Sequence, residues 1–404
     1  MSPLKISWKS LRAKPLSSAL NIMLIAFGTG ILTILLLASK QISDKLENNS
    51  KDIDLVVGAK GSPLQLILSS IYYIDFPTGN IPLKAAMELA HSPFVKKAVP
   101  LALGDNYEGI RIVGTDSNFV GLYQLKLQSG KFWQKDFEAC IGATVAATHR
   151  LKLGDTFYGA HGLSGDRDVH KDHPYKVSGI LAAQGNVTDN LILTNIASVW
   201  KMHEEHDDHD HEGHEGHQHE AQDKDRELTS LLIQYRSPMS VAMFPRMVNE
   251  TTNMQAASPA QESTRLFSLI GVGVDTLQWF AILIMLIAAI SVFVNLYNSL
   301  KERSYDLAIM RTLGASRGKL FVIIISEGIL LTIVGTLLGI AVGHLALELI
   351  GSNQDSSQSR LSGLVLLWDE IYLFVAGIAI GIFAAIIPAI QAYRANISKI
   401  LAGN

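Results

Sequence analysis

The stretch from Leu20 to Ala38, LNIMLIAFGTGILTILLLA, decides the fold class of this chain. Its polar interruptions are Asn21, Thr29 and Thr33. Crossing about 30 Å of hydrocarbon takes roughly 20 apolar residues in a helix, which satisfies its own backbone hydrogen bonds. The stretch therefore predicts a membrane-spanning helix. A signal peptide is the disfavoured alternative, because its apolar core is typically only about 7–15 residues and no small-x-small cleavage site follows here.

Three later stretches have the same character. The four predicted spans are residues 20–39, 276–297, 320–347 and 371–393. The whole chain of 404 residues is 48% hydrophobic and 18% charged, whereas about a quarter of a typical soluble chain is charged. Composition and pattern together indicate a multi-pass membrane protein.

Positive charge predicts the orientation of these spans, because loops rich in Lys and Arg stay in the cytoplasm. The loop between the third and fourth predicted spans, residues 348–370, carries a single basic residue, Arg360, and several acids. Basic residues concentrate instead in the amphipathic N-terminal segment 1–19, the loop 298–319 and the tail 394–404: Lys5, Lys9, Arg12, Lys14, Lys301, Arg303, Arg311, Arg317, Lys319, Arg394 and Lys399. Both termini and the loop 298–319 are therefore predicted to be cytoplasmic, in a bacterial inner membrane. Residues 348–370 form a short extracytoplasmic loop.

Residues 40–275 are then predicted to form a large extracytoplasmic (periplasmic) domain. The segments 109–114 (GIRIVG) and 175–180 (YKVSGI) are predicted strands, and the segments 81–91 and 265–270 are predicted helices. The predicted fold class is an α-helical membrane protein with four transmembrane helices and a mixed α+β extracytoplasmic domain between helices 1 and 2. Since Cys140 is the only cysteine, no intrachain disulfide is possible.

A histidine-rich tract, 203–219, lies within this domain. The sequence MHEEHDDHDHEGHEGHQHE has nothing to bury, which predicts a disordered loop. Imidazole and carboxylate groups are good zinc ligands, although the spacing defines no single site. The tract is either a metal-buffering or metal-sensing segment, with zinc favoured, or a solvated linker. Its candidate metal ligands are His203, His206, His209, His211, His214, His217 and His219.

Small residues recur in the last two predicted spans. The candidate helix-packing residues are Gly335, Gly339, Gly343, Gly377 and Gly381. Glycine at four-residue spacing lets helix backbones approach closely, either within one chain or between two copies.

The loop at residues 298–320 reads NSLKERSYDLAIMRTLGASRGKL. Its apolar residues predict one side of an amphipathic helix over 301–313, formed by Leu307, Ile309, Met310 and Leu313, which would dock on the membrane surface or on a partner. The segment Gly314–Lys319 is one residue short of a P-loop and continues with leucine. No other phosphate-binding loop is found, so the chain is not expected to hydrolyse ATP.

At this loop the sequence resembles the FtsX/MacB-like (LolC/LolE-like) family of ABC transporter permeases. That family carries a segment similar to E-R-x-x-E-x-A-x-x-R-x-x-G-A-S after its second span, with Asp306 here in place of the second glutamate. The matching coupling residues are Glu302, Arg303, Asp306, Ala308, Arg311, Gly314 and Ala315. The tail PAIQAYRANISKIL and the segment IGATVAATHRLKLGD (141–155) are also similar to family patterns. The histidine tract is not a general family feature.

The resemblance implies a non-catalytic permease subunit of the mechanotransmission type. The implied partners are a cytoplasmic ABC ATPase that carries ATP and Mg²⁺, a second permease copy (identical or different), and a periplasmic adaptor or lipoprotein; no nucleic acid is implied. No cofactor is expected in this chain beyond Zn²⁺ at the histidine tract. ATP-driven closure would move the external domain to export or extract an envelope substrate, or to activate a partner.

One alternative is a metal-responsive membrane binding or signalling protein without a transport stroke. Direct metal export is disfavoured, because the spans lack paired Asp, His or Cys ligands.

Overall fold

The structure is a computed structural model, which describes residues 3–161, 173–207, 226–352 and 361–394. Its helices are α1 (Pro3–Ala13), α2 (Pro15–Ser50), α3 (Pro63–Ser70), α4 (Leu83–Ala90), α5 (Ser117–Leu122), α6 (Ala143–His149), α7 (Ile196–Asp207), α8 (Pro238–Thr251), α9 (Pro259–Glu302), α10 (Ser304–Thr312), α11 (Arg317–Ser352) and α12 (Glu370–Arg394). Its strands are β1 (Leu55–Ala59), β2 (Ile81–Pro82), β3 (Val95–Tyr107), β4 (Ile110–Thr115), β5 (Leu127–Gly130), β6 (Glu138–Ile141), β7 (Thr156–Phe157), β8 (Ala160–His161), β9 (Tyr175–Leu181), β10 (Ile192–Asn195), β11 (Glu227–Leu228), β12 (Ser230–Tyr235) and β13 (Met254–Ala257).

The chain divides into two compact units. The helical unit comprises residues 1–43 and 269–404, and the α/β unit comprises residues 44–268. Four helices of the described chain are long and apolar enough to cross a membrane: α2, α9, α11 and α12. The predicted fold class, four membrane helices with a mixed α/β domain between the first and the second, is confirmed.

The helices extend beyond the predicted spans. Helix α2 has 36 residues and α9 has 44, against the 20 or so that a bilayer requires. Helical hydrogen bonding continues into polar sequence once the apolar segment ends, so the ends of these helices do not mark the membrane boundaries.

One sheet forms the centre of the α/β unit. Its strand order is β13-β1-β12-β3-β4-β10-β6-β9-β5. In addition, β7 pairs with β9, and β8 pairs with β3. The pairs β4–β10 and β6–β9 are parallel, and the other pairs in this sheet are antiparallel. The 13-residue β3 joins the two halves, because it pairs with β12 along its first part and with β4 along its second. The predicted strands at 109–114 and 175–180 are found as β4 and β9.

Both faces of this sheet are buried. Successive side chains of a strand point to opposite faces, and Val56 packs in one core while its neighbours Leu55 and Val57 pack in another. Apolar runs such as LVVGA in β1 and SLLIQY in β12 suit strands covered on both sides. Burial raises the pKa of the Cys140 thiol, on the interior strand β6, to about 11, so this cysteine is an unreactive core residue.

In the helical unit, the glycines of α11 pack against helices of the same chain. A Cβ atom on Gly339 would lie 2.6 Å from the carbonyl oxygen of Ala26, and one on Gly30 would lie 3.2 Å from the carbonyl oxygen of Gly339. Gly335 lies against Ile25 in the same way. Helices α2 and α11 are therefore in backbone contact.

The second group of small residues joins α11 to α12. A Cβ atom on Gly381 would overlap the hydroxyl of Thr332, and one on Gly377 would overlap that of Thr336. Gly343 lies against Thr33 of α2. The sequence left open whether the candidate packing glycines contact helices of the same chain or of a second copy. Their contacts in the described residues are with helices of the same chain.

The contact between α2 and α11 can be tested by substituting Gly339 with Ala. The new methyl group would meet backbone and Thr29 on the facing helix, and such overpacking costs typically about 1–3 kcal/mol. We expect a lower thermal unfolding midpoint for the purified chain in detergent. The control is Gly271→Ala in α9, where a Cβ atom meets nothing within 4 Å and Ala is the better helix former. Equal midpoints for the two variants would contradict the assigned contact.

Candidate functional site

The candidate site is the end of the helical unit at which α9 gives way to α10. The predicted helix over 301–313 is found as α10, Ser304–Thr312, separated from α9 by Arg303. This end also contains α1 and the first turns of α11, which supply its remaining contacts.

Gly314 and Ala315 terminate α10. The amide of Gly314 donates to the carbonyl of Arg311 (3.0 Å) and that of Ala315 donates to the carbonyl of Met310 (3.0 Å). These two bonds, with Gly314 at a φ of +96°, form a Schellman motif, which glycine adopts without a Cβ penalty. The Gly-Ala pair of the sequence motif therefore has a structural role, since it fixes where the helix stops.

The apolar residues of α10 do not share one side, so the predicted single apolar face is wrong. Leu307 and Met310 pack inward with Leu320, whereas Ile309 and Leu313 are exposed. Residues four apart lie one above the other on a helix, and residues two apart do not. The exposed pair instead continues a row that starts at Tyr305.

This outward row, Tyr305, Ile309 and Leu313, is the face that α10 presents to its surroundings. The three residues are 58%, 38% and 82% exposed. We call them the α10 ridge. Tyr305 was not among the predicted apolar residues of this helix, although the i, i+4, i+8 spacing of the three residues is a signal in the sequence that identifies it.

Arg303 points into the helical unit. Its guanidinium group donates to the hydroxyl of Ser10 and, over 3.2 Å, to the carbonyl of Ser10. The Ser10 hydroxyl in turn donates to the carboxylate of Glu327, which is 5% exposed on α11. This chain of hydrogen bonds ties the start of α10 to α1 and α11.

Helix α1 is held along the same side. The Ser7 hydroxyl donates to the carbonyl of Ile323 (3.0 Å), and Leu11 is buried. Leu4 and Trp8 are exposed on the other side, where the guanidinium of Arg12 lies 5.2 Å from the centre of the Trp8 ring. An apolar edge flanked by basic residues is typical of a helix that lies in a membrane interface. Serines three residues apart, opposite this edge, are the signal that could have predicted the buried side.

The other motif residues are distributed between these contacts and the surface. Glu302 pairs with Lys14 at the surface, and Asp306 is exposed. Ala308 is 2% exposed, so its side chain is not available to a partner in this conformation. Two guanidinium nitrogens of Arg311, Nε and Nη1, are buried and have no hydrogen-bond acceptor within the described residues.

The histidine tract lies mostly outside the described residues. Helix α7 ends at Asp207, so the backbone at His203 and His206 is helical and the prediction of a disordered loop is wrong at these two residues. His209, His211, His214, His217 and His219 are outside the described part of the chain. Within the described ranges, no three His, Cys, Asp or Glu side chains come together as a metal site.

Comparison with known families covers almost the whole chain. Residues 18–250, more than half of it, match the MacB-like periplasmic core domain, and residues 279–397 match the FtsX-like permease C-terminal domain. The chain belongs to the MacB/FtsX-like family of ABC transporter permeases. The match places the α/β unit of this permease in the MacB-like periplasmic core and α10 inside the FtsX-like region.

Individual relatives of the permease are distant. The pyoverdine export ATP-binding/permease protein PvdT of Pseudomonas putida is 21% identical over 354 residues, which are 84% of this chain and 51% of PvdT. The permease thus spans about half the length of that relative.

Solved structures are more distant still. The periplasmic region of MacB from Actinobacillus actinomycetemcomitans is 11% identical, with a TM-score of 0.35 over 55% of this chain and 97% of that one. The extracellular domain of the ABC-type transporter YknZ from Gram-positive bacteria is 13% identical, with a TM-score of 0.31 over 51% and 99%.

Two acids of the permease site, Glu302 and Glu327, offer a test of its internal contacts. Replacing buried Glu327 with Leu removes the acceptor of the Ser10 hydroxyl and breaks the hydrogen-bonded link to Arg303, which should cost about 1–3 kcal/mol of stability. Replacing Glu302 with Gln breaks an exposed pair with Lys14, worth about 0–1 kcal/mol. Thermal unfolding of the purified variants should show a larger loss for Glu327→Leu, with part of it restored in Glu327→Gln. A larger loss for Glu302→Gln would refute this order.

Proposed function

We propose that this permease is the non-catalytic membrane subunit of an ABC complex in a bacterial inner membrane, which receives ATP-driven motion from a separate cytoplasmic ATPase. The observation that carries the proposal is the α10 ridge, an exposed apolar row on a helix whose other apolar side chains pack into its own chain. These 404 residues contain no P-loop, so we propose that ATP and Mg²⁺ bind to the ATPase and not to this permease region.

The α10 ridge is suited to transmit force from a bound partner to the rest of the helical unit. Its backbone is fixed at one end by Arg303 and at the other by the Schellman motif at Gly314, and its inner side packs through Leu307 and Met310. An apolar helix face fits a groove on a soluble partner. A partner that binds the ridge would therefore move the inner ends of α9 and α11 with it, so we propose that α10 is the coupling helix.

Motion would pass outward along α2 and α9. At 1.5 Å per residue these helices are about 54 Å and 66 Å long, more than the roughly 40–45 Å of a whole bilayer. Each begins in one unit and ends in the other without a break in its helical hydrogen bonding. We propose that they transmit the ATPase stroke to the periplasmic domain.

A second permease copy is proposed along α9. Exposed apolar residues follow one side of this helix at alternating spacings of three and four: Phe280, Leu283, Ile287, Ile290 and Val294. That spacing is typical of a seam between two packed helices. We propose that the seam joins two permeases, identical or different.

The proposed action is export or extraction of an envelope substrate, or activation of an envelope partner such as an adaptor or lipoprotein. The name of PvdT, a pyoverdine export ATP-binding/permease protein, supports export as the action. The histidine tract supports a zinc-linked activity. The alternative, a metal-responsive binding or signalling protein without a stroke, predicts that the α10 ridge has no ATPase partner.

The ridge is tested by replacing Leu313 with Asp. A charge in a buried apolar contact is strongly unfavourable, so ATPase co-purification and stimulation should fall about tenfold or more, with an unchanged unfolding midpoint because the residue is exposed. The matched control is Leu364→Asp: Leu364 is 81% exposed and lies in the predicted extracytoplasmic loop 348–370. If both variants retain wild-type ATPase stimulation, or if no ATPase associates with the wild-type chain, the signalling alternative is favoured.

The zinc proposal is tested by calorimetry on the full chain in detergent. Replacing all seven histidines of the tract with Asn should abolish zinc binding and leave the α/β domain folded, because Asn keeps the tract polar. The control replaces the exposed His91, which lies outside the tract. Equal zinc affinity before and after the sevenfold replacement would exclude the tract as the site.

A further inference from the structure

A cavity of about 400 Å³ lies among α1, the junction of α9 with α10, and α11. We propose that it binds the headgroup of a zwitterionic aminophospholipid, phosphatidylethanolamine, from the inner leaflet. The lining residues are Ile6, Lys9, Ser10, Ser299, Leu300, Arg303, Asp306, Leu307, Met310, Ile323, Ile324 and Glu327.

The charges of the lining favour a zwitterion. Two cations, Lys9 and Arg303, and two acids, Asp306 and Glu327, border the cavity. A ligand with only a negative charge would be repelled by the acids, and one with only a positive charge would be repelled by the cations. A headgroup with a phosphate and an ammonium can satisfy both kinds of side chain, with the phosphate at Lys9 and Arg303 and the ammonium at Asp306.

The other walls of the cavity are aliphatic. Ile6, Leu300, Met310 and Ile323 would pack against the first carbons of the acyl chains, and covering them with lipid is more favourable than covering them with water. A soluble phosphate ester offers nothing to this part of the lining, which favours a lipid over a free headgroup.

The position of the cavity is that of a headgroup. Lys9 and Asp306 are exposed and mark its mouth, while Ser10 and Glu327 are buried and mark its floor. Glu327 lies eight residues along α11 from Lys319, about 12 Å deeper in the helix. With Leu4 and Trp8 exposed on α1, the mouth lies at the level of a membrane interface.

Occupancy of this cavity would act on the junction between α9 and α10. Arg303 both lines the cavity and holds Ser10, and Asp306 belongs to α10 itself. A bound headgroup would therefore favour one position of α10 relative to α1. The lipid would act as a structural ligand of the junction between α9 and α10.

The experiment uses the full chain extracted from a phosphatidylethanolamine-containing membrane, with native mass spectrometry of retained lipid. We expect about tenfold less phosphatidylethanolamine on Lys9→Ala, which loses a charge-assisted hydrogen bond. The matched control is Lys5→Ala, an exposed lysine of the same helix that does not line the cavity; it should retain wild-type lipid. Asp306→Asn should shift the retained lipid from phosphatidylethanolamine towards phosphatidylglycerol.

Two further arms identify the source of the ligand. In nanodiscs, the wild-type chain should prefer phosphatidylethanolamine to phosphatidylglycerol, and millimolar free phosphoethanolamine should not displace the lipid. Displacement by the free compound would overturn a lipid site in favour of a soluble phosphate ester. Equal retention in the Lys9 and Lys5 variants, or no preference between the two lipids, would overturn the proposal. The measurement needs no ATPase, so its failure is separate from failure of the proposed function.

Discussion

The close backbone contact of α11 with α2 and α12 is the constraint on which the helical unit depends. In a bilayer the surrounding lipid is as apolar as leucine, so burial of aliphatic side chains provides little force to bring helices together. Glycine at positions 30, 335, 339 and 381 removes the side chain that would keep the backbones apart, and van der Waals contact is then made by the backbones themselves. The remaining contacts, including those of α1, are built on this close-packed centre.

The polar contacts at the end of the helical unit where α9 meets α10 do not depend on glycine packing. Ser10 of α1, Arg303 between α9 and α10, and Glu327 of α11 are brought together, and each is hydrogen-bonded within that group. A buried acid or guanidinium is stable only when such partners exist. The same contacts leave α10 with one side held by its own chain and the α10 ridge uncovered, which makes this short helix a candidate for receiving force from a partner.

The proposed lipid site and the proposed ATPase surface use different side chains of α10. The α10 ridge faces outward, while Met310 and Leu307 border the cavity. Two different ligands, a protein on the ridge and a headgroup in the cavity, would therefore contact the same nine-residue helix through different side chains. Such an arrangement would couple the position of α10 to both the ATPase and the membrane.

The sequence by itself determined the four membrane helices, because their length and apolar character follow from the thickness of the bilayer and need no partner. It also determined the family, through Glu302, Arg303 and the Gly-Ala pair at 314–315 that stops α10, since local turn chemistry depends on neighbouring residues alone. Tertiary structure decided which side of α10 is free, which helices the glycines join, and that Ser10 links Arg303 to Glu327. These depend on contacts between different helices, which for the Ser10 link join residues 293 and 317 positions apart, and no local pattern specifies which helix will face a given side chain.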